Sequence, residues 1–570
     1  MAREEIAVDT VAEAYLRLLA ERGVEYLFAN AGTDFAPLVE AFAKAARTGT
    51  PVPQPILATH ENLAVSMAHG WAVATGRVPA AMVHVSVGTA NGLCGIMNAA
   101  RENVPLLFTA GRSPLTESGL KGARDVYIHW AQEMFDQAGM LREIVKWEYE
   151  LRNGPQLETV VDRALAVATS PPAGPVYLSL PREVLAAPLP GFACEVPGRR
   201  VAAAPPAADS GAIAEAARLF AAAENPLIIT ASAGRDPKAV AALSEFAARF
   251  AVPVVQHRPR HLSLGDRHPC HLGYDAAPFL DEADLILVLE CDVPWIPSLK
   301  APPPQCRVIH LAVDPLFQRY PIRGFPCDLA VTGAPATALP MLAAALERRI
   351  AKEAVAARRH RLAERRQRQR AAWAQRREEV AGLRPIHMAW ASACIGRIKP
   401  EDAILVNEYT LLPEHCGSDL PGSYFGSSPA SGLGWGGGAA LGVKLAHPER
   451  PVIAVLGDGS HLFGNPVAVH HAAAMHRLPV LFVIMNNSMW GAVRRAVEGM
   501  YPQGEALRSN KPPLIDLDEL PAFEAVCAAA GGYGERVEDP AELPAALQRA
   551  LHAVTVDKRQ ALVNVICRGP

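Results

Sequence analysis

The stretch PVIAVLGDGS at 451–460, followed by PVLFVIMNN at 479–487, decides how this chain folds. Each begins as an apolar run of strand length rich in Val, Ile, Leu or Phe, the pattern of a strand buried on both faces. The interval between them has room for one helix and its loop. A right-handed strand-helix-strand unit then brings both strand ends to the carboxyl edge of one parallel sheet. Gly457 and Gly459 let backbone N–H groups approach phosphate oxygens, while the Asp458 carboxylate and an amide oxygen from Asn486 or Asn487 can share one hard cation. The pair reads as a grip on a metal diphosphate, and magnesium suits it because phosphates complete the ion's shell. A lone Gly-Asp-Gly is an ordinary turn, so the second strand end gives the first its meaning.

The same alternation of strand and helix extends through the chain. In the first block YLFANAG, PILATH, AAMVHVSV, PLLFTAG and PVYLSLP read as strands separated by helical stretches such as LVEAFAKAARTG. A proline- and alanine-rich segment, AAPLPGFACEVPGRRVAAAPPAADS, reads as a linker. The second block carries PLIITASAG, VPVVQH, ADLILVLECD, RVIHLAVD and DLAVTG, and ends in RRHRLAERRQRQRAAWAQRR, read as a solvated helix between domains. The third carries AILVNEYT, SGLGWGGGAALG, the two glycine- and asparagine-tipped strands and a last strand, ALVNVICR. The expected fold class is α/β: three doubly wound domains with parallel sheets, over 1–187, 205–345 and 383–570, with a basic helical linker at 346–382.

A chain of 570 residues is long enough for several cores, and a formal net charge of −3 makes no electrostatic case for nucleic acid. No apolar run is long enough to span a bilayer, and the N-terminus lacks the pattern of an export signal, so a cytoplasmic protein without a membrane partner is expected. The 10 cysteines are scattered, with no C-x-x-C pair, and read as buried thiols. A dinucleotide-binding dehydrogenase is excluded by the lack of G-x-G-x-x-G between a strand and a helix.

The GDG and NN elements resemble the thiamin diphosphate signature of the decarboxylase and acetolactate synthase superfamily, and the three α/β blocks match its domain order. The resemblance implies thiamin diphosphate and Mg2+ as cofactors. Asp458, the Asn487 side chain and the Met489 carbonyl would hold the ion, with Gly457, Gly459, Ser460, Thr410 and Trp490 around the cofactor; Asn407 and Glu408 stand where they too can touch the diphosphate. Leu433, twenty-five residues before Asp458, would be the apolar wedge that bends the cofactor, with the Ser431 carbonyl beside its aminopyrimidine. Glu61, where a strand gives way to a helix, would share a proton with the aminopyrimidine, and its neighbour His60 would pack at the strand end. Each site would form between subunits of a homodimer or homotetramer.

His84 ahead of a G-T-x-N turn resembles benzoylformate decarboxylase and is a candidate proton shuttle; as a bare sequence feature it reads as a packed histidine in an apolar strand. Asn30, Ala31, Gly32 and Thr33, together with Asn91 and Gln132, are candidate substrate contacts. In the helix after the NN element, Arg494 and Glu498 are candidates, Glu498 as a base if it faces inward. Trp295, Ile296 and Pro297 stand roughly where benzoylformate decarboxylase has a second histidine, and the run that acetolactate synthases place near flavin is absent, so no FAD is expected. The implied activity is cleavage or formation of a carbon-carbon bond beside a carbonyl in a 2-oxo acid. An alternative is a 2-hydroxyacyl-CoA lyase giving an aldehyde or ketone plus formyl-CoA. An alternative of another class is a non-catalytic cofactor-binding regulatory protein.

Overall fold

The computed structural model describes residues 3–196, 198, 201–509 and 511–568. Three parallel sheets, one from each block, are flanked by helices. The first comprises β1 (Tyr26–Ala29), β2 (Gln54–Leu57), β3 (Ala80–Val83), β4 (Leu106–Arg112), β5 (Glu148–Glu150) and β6 (Pro175–Pro181), in the order β2-β1-β3-β4-β6-β5. The central sheet comprises β7 (Pro226–Thr230), β8 (Val254–Gln256), β9 (Leu285–Leu289), β10 (Arg307–Ala312) and β11 (Leu329–Thr332), ordered β8-β7-β9-β10-β11. In the last, β12 (Ile404–Glu408), β13 (Tyr424–Gly426), β14 (Val452–Gly457), β15 (Leu481–Asn486), β16 (Tyr533–Val537) and β17 (Ala561–Ile566) run β13-β12-β14-β15-β17-β16. Among the described residues no helix is long and apolar enough to cross a membrane.

Three sequence expectations need correction. AAMVHVSV is a strand only to Val83; His84 is the residue before helix α2 (Val85–Arg101), with no capping bond from its side chain, and Val85 turns the corner at a φ of +31°. That run has no periodicity to mark where the strand stops. Part of the presumed linker is ordered, since Ala193–Glu195 pairs antiparallel with Arg3–Glu5; its residues 197, 199 and 200 lie outside the described residues. The basic helix α3 (Lys352–Val380) is not simply solvated. Arg358 is buried and donates to the carbonyls of Phe220 and Ala223, while Arg366 and Arg370 donate to the Asp266 carbonyl, fastening the helix to the central domain.

The first and last domains share one core. Helix α1 (Glu61–Thr75) lies against α4 (Trp435–Ala446), and apolar residues from Phe28 through Leu562 form a single buried cluster across the contact. Glycine makes the approach possible: a Cβ on Gly442 would fall 2.0 Å from the Met67 carbonyl oxygen, and one on Gly70 2.1 Å from that of Ala439. The glycine-rich sequence between Ser431 and Gly442 is therefore spent partly on helix packing.

Candidate active site

Register assembles the C-terminal half of the site. Glu408 pairs with Leu456 on one side of β14, and Gly457 pairs with Met485 on the other, so three strands end together at the carboxyl edge. Beyond those ends stand Thr410, the Gly457–Ser460 turn and the loop 487–490. A Cβ on Gly457 would touch the Thr410 methyl at 3.4 Å, and one on Gly459 would strike the Trp490 ring at 2.4 Å. Trp490 thus covers the second glycine, and the turn can only be glycine there.

Asp458 is buried at the start of helix α5 (Asp458–Phe463). Its Oδ1 accepts the Gly459 N–H at 2.7 Å, while Oδ2 is buried and, among the described residues, without a partner. Burial pushes its pKa up, with the N–H groups of Gly459, Ser488, Asn487 and Met489 pulling the other way. The Thr410 hydroxyl is likewise buried and unpartnered. A carboxylate oxygen and a hydroxyl left unsatisfied inside a protein are costly unless a ligand completes them. Oxygen ligands with one carboxylate suit Mg2+ beside a diphosphate, so these residues fit the metal and cofactor. Among the described residues no trio of His, Cys, Asp or Glu forms a softer metal site.

The two asparagines divide their work. Asn486 is structural: its amide donates to Asn564 at 3.2 Å, and its carbonyl accepts the Ser488 N–H and hydroxyl at 3.1 Å. Asn487 is half-buried and, among the described residues, accepts only the Met489 N–H, at 3.2 Å, leaving lone-pair capacity. Asn407 and Glu408, expected near the diphosphate, turn inward instead. Asn407 bonds Leu411 and Tyr424; Glu408, fully buried, accepts the N–H groups of Gly434 at 2.8 Å and Gly436 at 2.6 Å. Burial pushes the Glu408 carboxyl up to about 7, with those N–H groups and the Ser460 hydroxyl resisting. Ser460 therefore faces Glu408, a competing partner to the diphosphate expected for it. By clamping the turn on both sides of Trp435, Glu408 sets where Leu433 and Ser431 stand; Leu433 is half-exposed, free to act as a wedge.

The N-terminal half carries Glu61 at the first turn of α1, with His60 as the helix cap accepting the Asn62 N–H at 3.2 Å. This is capping, where strand-end packing was expected. Asn91 from α2 donates to Glu61 Oε2 at 2.5 Å. Glu61 is only half-buried within one chain, and shares no hydrogen bond with the Asp458 group.

His84 stands over Gly32, whose Cβ would lie 2.2 Å from its Nδ1, so glycine is required there to admit the imidazole. Nδ1 bonds Asp34 Oδ1 at 2.5 Å, and Nε2 lies 3.4 Å from the Gln132 amide nitrogen. Asp34 is buried, and its Oδ2 also accepts the Val85 N–H at 3.3 Å. A carboxylate at Nδ1 favours the Nδ1–H tautomer, which leaves the Nε2 lone pair facing the Gln132 amide. Sequence reasoning missed Asp34; its one signal was a carboxylate in the AGTDF loop after β1. Ala31 and Thr33 are exposed on that loop, and Gln132 is held by the Ser86 hydroxyl on its carbonyl at 2.8 Å. Glu498 does not join either half: it lies on α6 (Gly491–Met500), none of whose residues is buried, in an exposed pair with Arg494 at 2.9 Å. Trp295 belongs to the central core.

Two strand-tip clusters on separate α/β domains, one with an unsatisfied carboxylate and hydroxyl that fit a metal diphosphate and one with a carboxylate and an oriented histidine, have the make-up of a cofactor-dependent enzyme's site. Comparison with known proteins supplies the family. The N-terminal TPP binding domain of thiamine pyrophosphate enzymes matches residues 9–140, their central domain 213–342 and their C-terminal TPP binding domain 409–565. The chain belongs to the thiamine pyrophosphate enzyme family. It is 29% identical to benzoylformate decarboxylase of Pseudomonas aeruginosa, over 96% of this chain and 97% of that protein. To the acetolactate synthase large subunit of Haemophilus influenzae it is 24% identical, over 95% and 91%. In fold it is similar to 4-hydroxybenzoylformate decarboxylase of Rhodococcus jostii (TM-score 0.76, 24% identity, 98% and 99% covered). It is similar likewise to benzoylformate decarboxylase of Polynucleobacter necessarius (TM-score 0.78, 21% identity, 99% of each chain).

Proposed function

We propose that this enzyme uses thiamin diphosphate and Mg2+ to break, or break and re-form, the carbon-carbon bond beside the carbonyl of a 2-oxo acid. Bound thiamin diphosphate supplies a nucleophilic ring carbon and a sink for the electrons released when that bond breaks. Asp458, Asn487 and the Met489 carbonyl hold the ion, while Thr410 and the backbone of Gly457 and Gly459 hold the diphosphate. Leu433 and Ser431 orient the rings. Glu61, steadied by Asn91, holds a proton at the aminopyrimidine, and His84, oriented by Asp34, moves a proton at the substrate oxygen through Nε2. The half-burial of Glu61 supports a homodimer or higher oligomer, in which a second copy's C-terminal domain covers it; a cytoplasmic location is proposed with it.

The observation that carries this reading is the buried, unpartnered Asp458 Oδ2 at the meeting of three strand ends, above which Thr410 offers a second unpartnered oxygen. The relatives' names support a 2-oxo acid as substrate, since both benzoylformate decarboxylase and acetolactate synthase act on such acids. The exposed Glu498–Arg494 pair gives no support to the acyl-CoA alternative. The test is a screen of 2-oxo acids with the cofactors added, repeated with Glu61→Gln. CO2 release is expected from the native enzyme, with a fall of about 100-fold or more in the variant while thiamin diphosphate still binds. Unchanged turnover in Glu61→Gln removes the assignment of Glu61.

A further inference from the structure

Between the central and C-terminal domains lies a cavity of about 440 Å3, which the cofactor residues only border. Tyr409 and Ser431 form part of one wall, flanking Thr410 and Leu433 in sequence; His257, Arg258, Arg260 and Asp292 form part of the other. Its volume suits a small metabolite. Arg258, Tyr409 and Ser431 hold φ angles of +47°, +74° and +59°. Left-handed backbone at bulky residues is unfavourable and gathers at sites that need a side chain held in one direction.

The charges on the central-domain wall do not cancel. Arg260 donates to Asp292 Oδ1 at 2.8 Å and to the Ser232 hydroxyl at 2.7 Å, and Tyr320 donates to Asp292 Oδ2 at 2.8 Å, so that pair is complete. Arg258 is exposed and, among the described residues, forms neither an ion pair nor a side-chain hydrogen bond. His257 beside it is 8% exposed, with both ring nitrogens buried and unpartnered. Burial and the nearby Arg258 hold its pKa down at about 4, against the pull of Asp275 and Asp292, so the imidazole is neutral and adds no charge beside Arg258.

We infer that this cavity receives the far end of the substrate and that Arg258, with His257 beside it, selects a 2-oxo acid bearing a second carboxylate at that end. The inference rests on the 2-oxo acid reading above. A guanidinium presents a planar fork that a carboxylate fills with two parallel hydrogen bonds, whereas an apolar tail leaves it without a partner and a cationic tail is repelled.

The test uses the full-length enzyme with thiamin diphosphate and Mg2+ and begins with unreactive acids, whose binding does not depend on turnover. Calorimetry should show glutarate binding about 10- to 100-fold more tightly than valerate, the effect of a charge-assisted hydrogen-bond pair. Arg258→Gln, at an exposed position, should melt as the native protein does and lose that preference with valerate affinity unchanged. The kcat/KM ratio of 2-oxoglutarate to 2-oxovalerate should fall by the same factor. Equal affinities in the native enzyme, or a glutarate preference that survives Arg258→Gln, overturns the inference. A glutarate preference without turnover of any 2-oxo acid overturns the reaction reading and leaves the anion subsite standing.

Discussion

Replacing Glu408 by Gln tests the clamp that positions the glycine-rich turn. The native carboxyl is raised from the ordinary 4.5 to about 7 because it is buried, and both its oxygens are occupied by backbone N–H groups from the turn. A carboxyl raised in the folded state adds stability in full below its unfolded value, and loses it as pH rises through its folded value. The window therefore runs upward from about pH 4.5 and closes by about pH 8. Integrating the two titrations gives about 2 kcal/mol lost between about pH 5.5 and 8. For a domain of roughly 150–250 residues, that is a fall of about 4–8 °C in melting temperature. Gln keeps the shape and cannot ionise, so its melting temperature, lower throughout because an amide NH2 meets one backbone N–H, should lose that part of the pH slope. Circular dichroism melts of both proteins at several pH values measure the difference. A variant with the native slope would refute the reasoning, since it would mean that Glu408 gives up its proton no later in the fold than outside it.

Other perturbations follow from the same geometry. Gly459→Ala drives a methyl into the Trp490 ring and should destabilise the protein by about 1–3 kcal/mol, weaken thiamin diphosphate binding and shift tryptophan fluorescence; cofactor titration checks it. Asp34→Asn removes the charge that fixes the His84 tautomer and should lower kcat/KM about 100-fold with cofactor affinity unchanged, by steady-state kinetics beside cofactor titration.

The candidate site's C-terminal half was legible because the residues that fit a metal diphosphate there are close together in the chain: glycines for close approach, Asp458 between them, asparagines at the next strand end. Thr410, Leu433 and Glu61 followed from the same signature. Asp34 escaped, and Glu408 was expected at the diphosphate, because their contacts come from segments far apart in the chain. Asp34 meets His84 across 50 positions, and no local pattern distinguishes it from a turn carboxylate. His84 was placed in a strand because apolar AAMVHVSV gives no break, yet Gly32 and Asp34 hold it at a helix start. Glu408 reads as a strand-end acid and becomes a core residue only when the glycine-rich turn folds over it. The basic helix misled through its composition, since arginines usually mark solvent.

That helix has a bearing on the cavity beside Arg258. Arg366 and Arg370 on α3 reach the Asp266 carbonyl, and the carboxylate of the same residue accepts the Ser418 N–H of the C-terminal domain at 2.8 Å. A rivet through one residue thus joins the strap, the middle layer and the last layer. The slot between those layers has its width set during folding, so discrimination among acids should depend on fit to a ready-made opening, with little domain closure on binding.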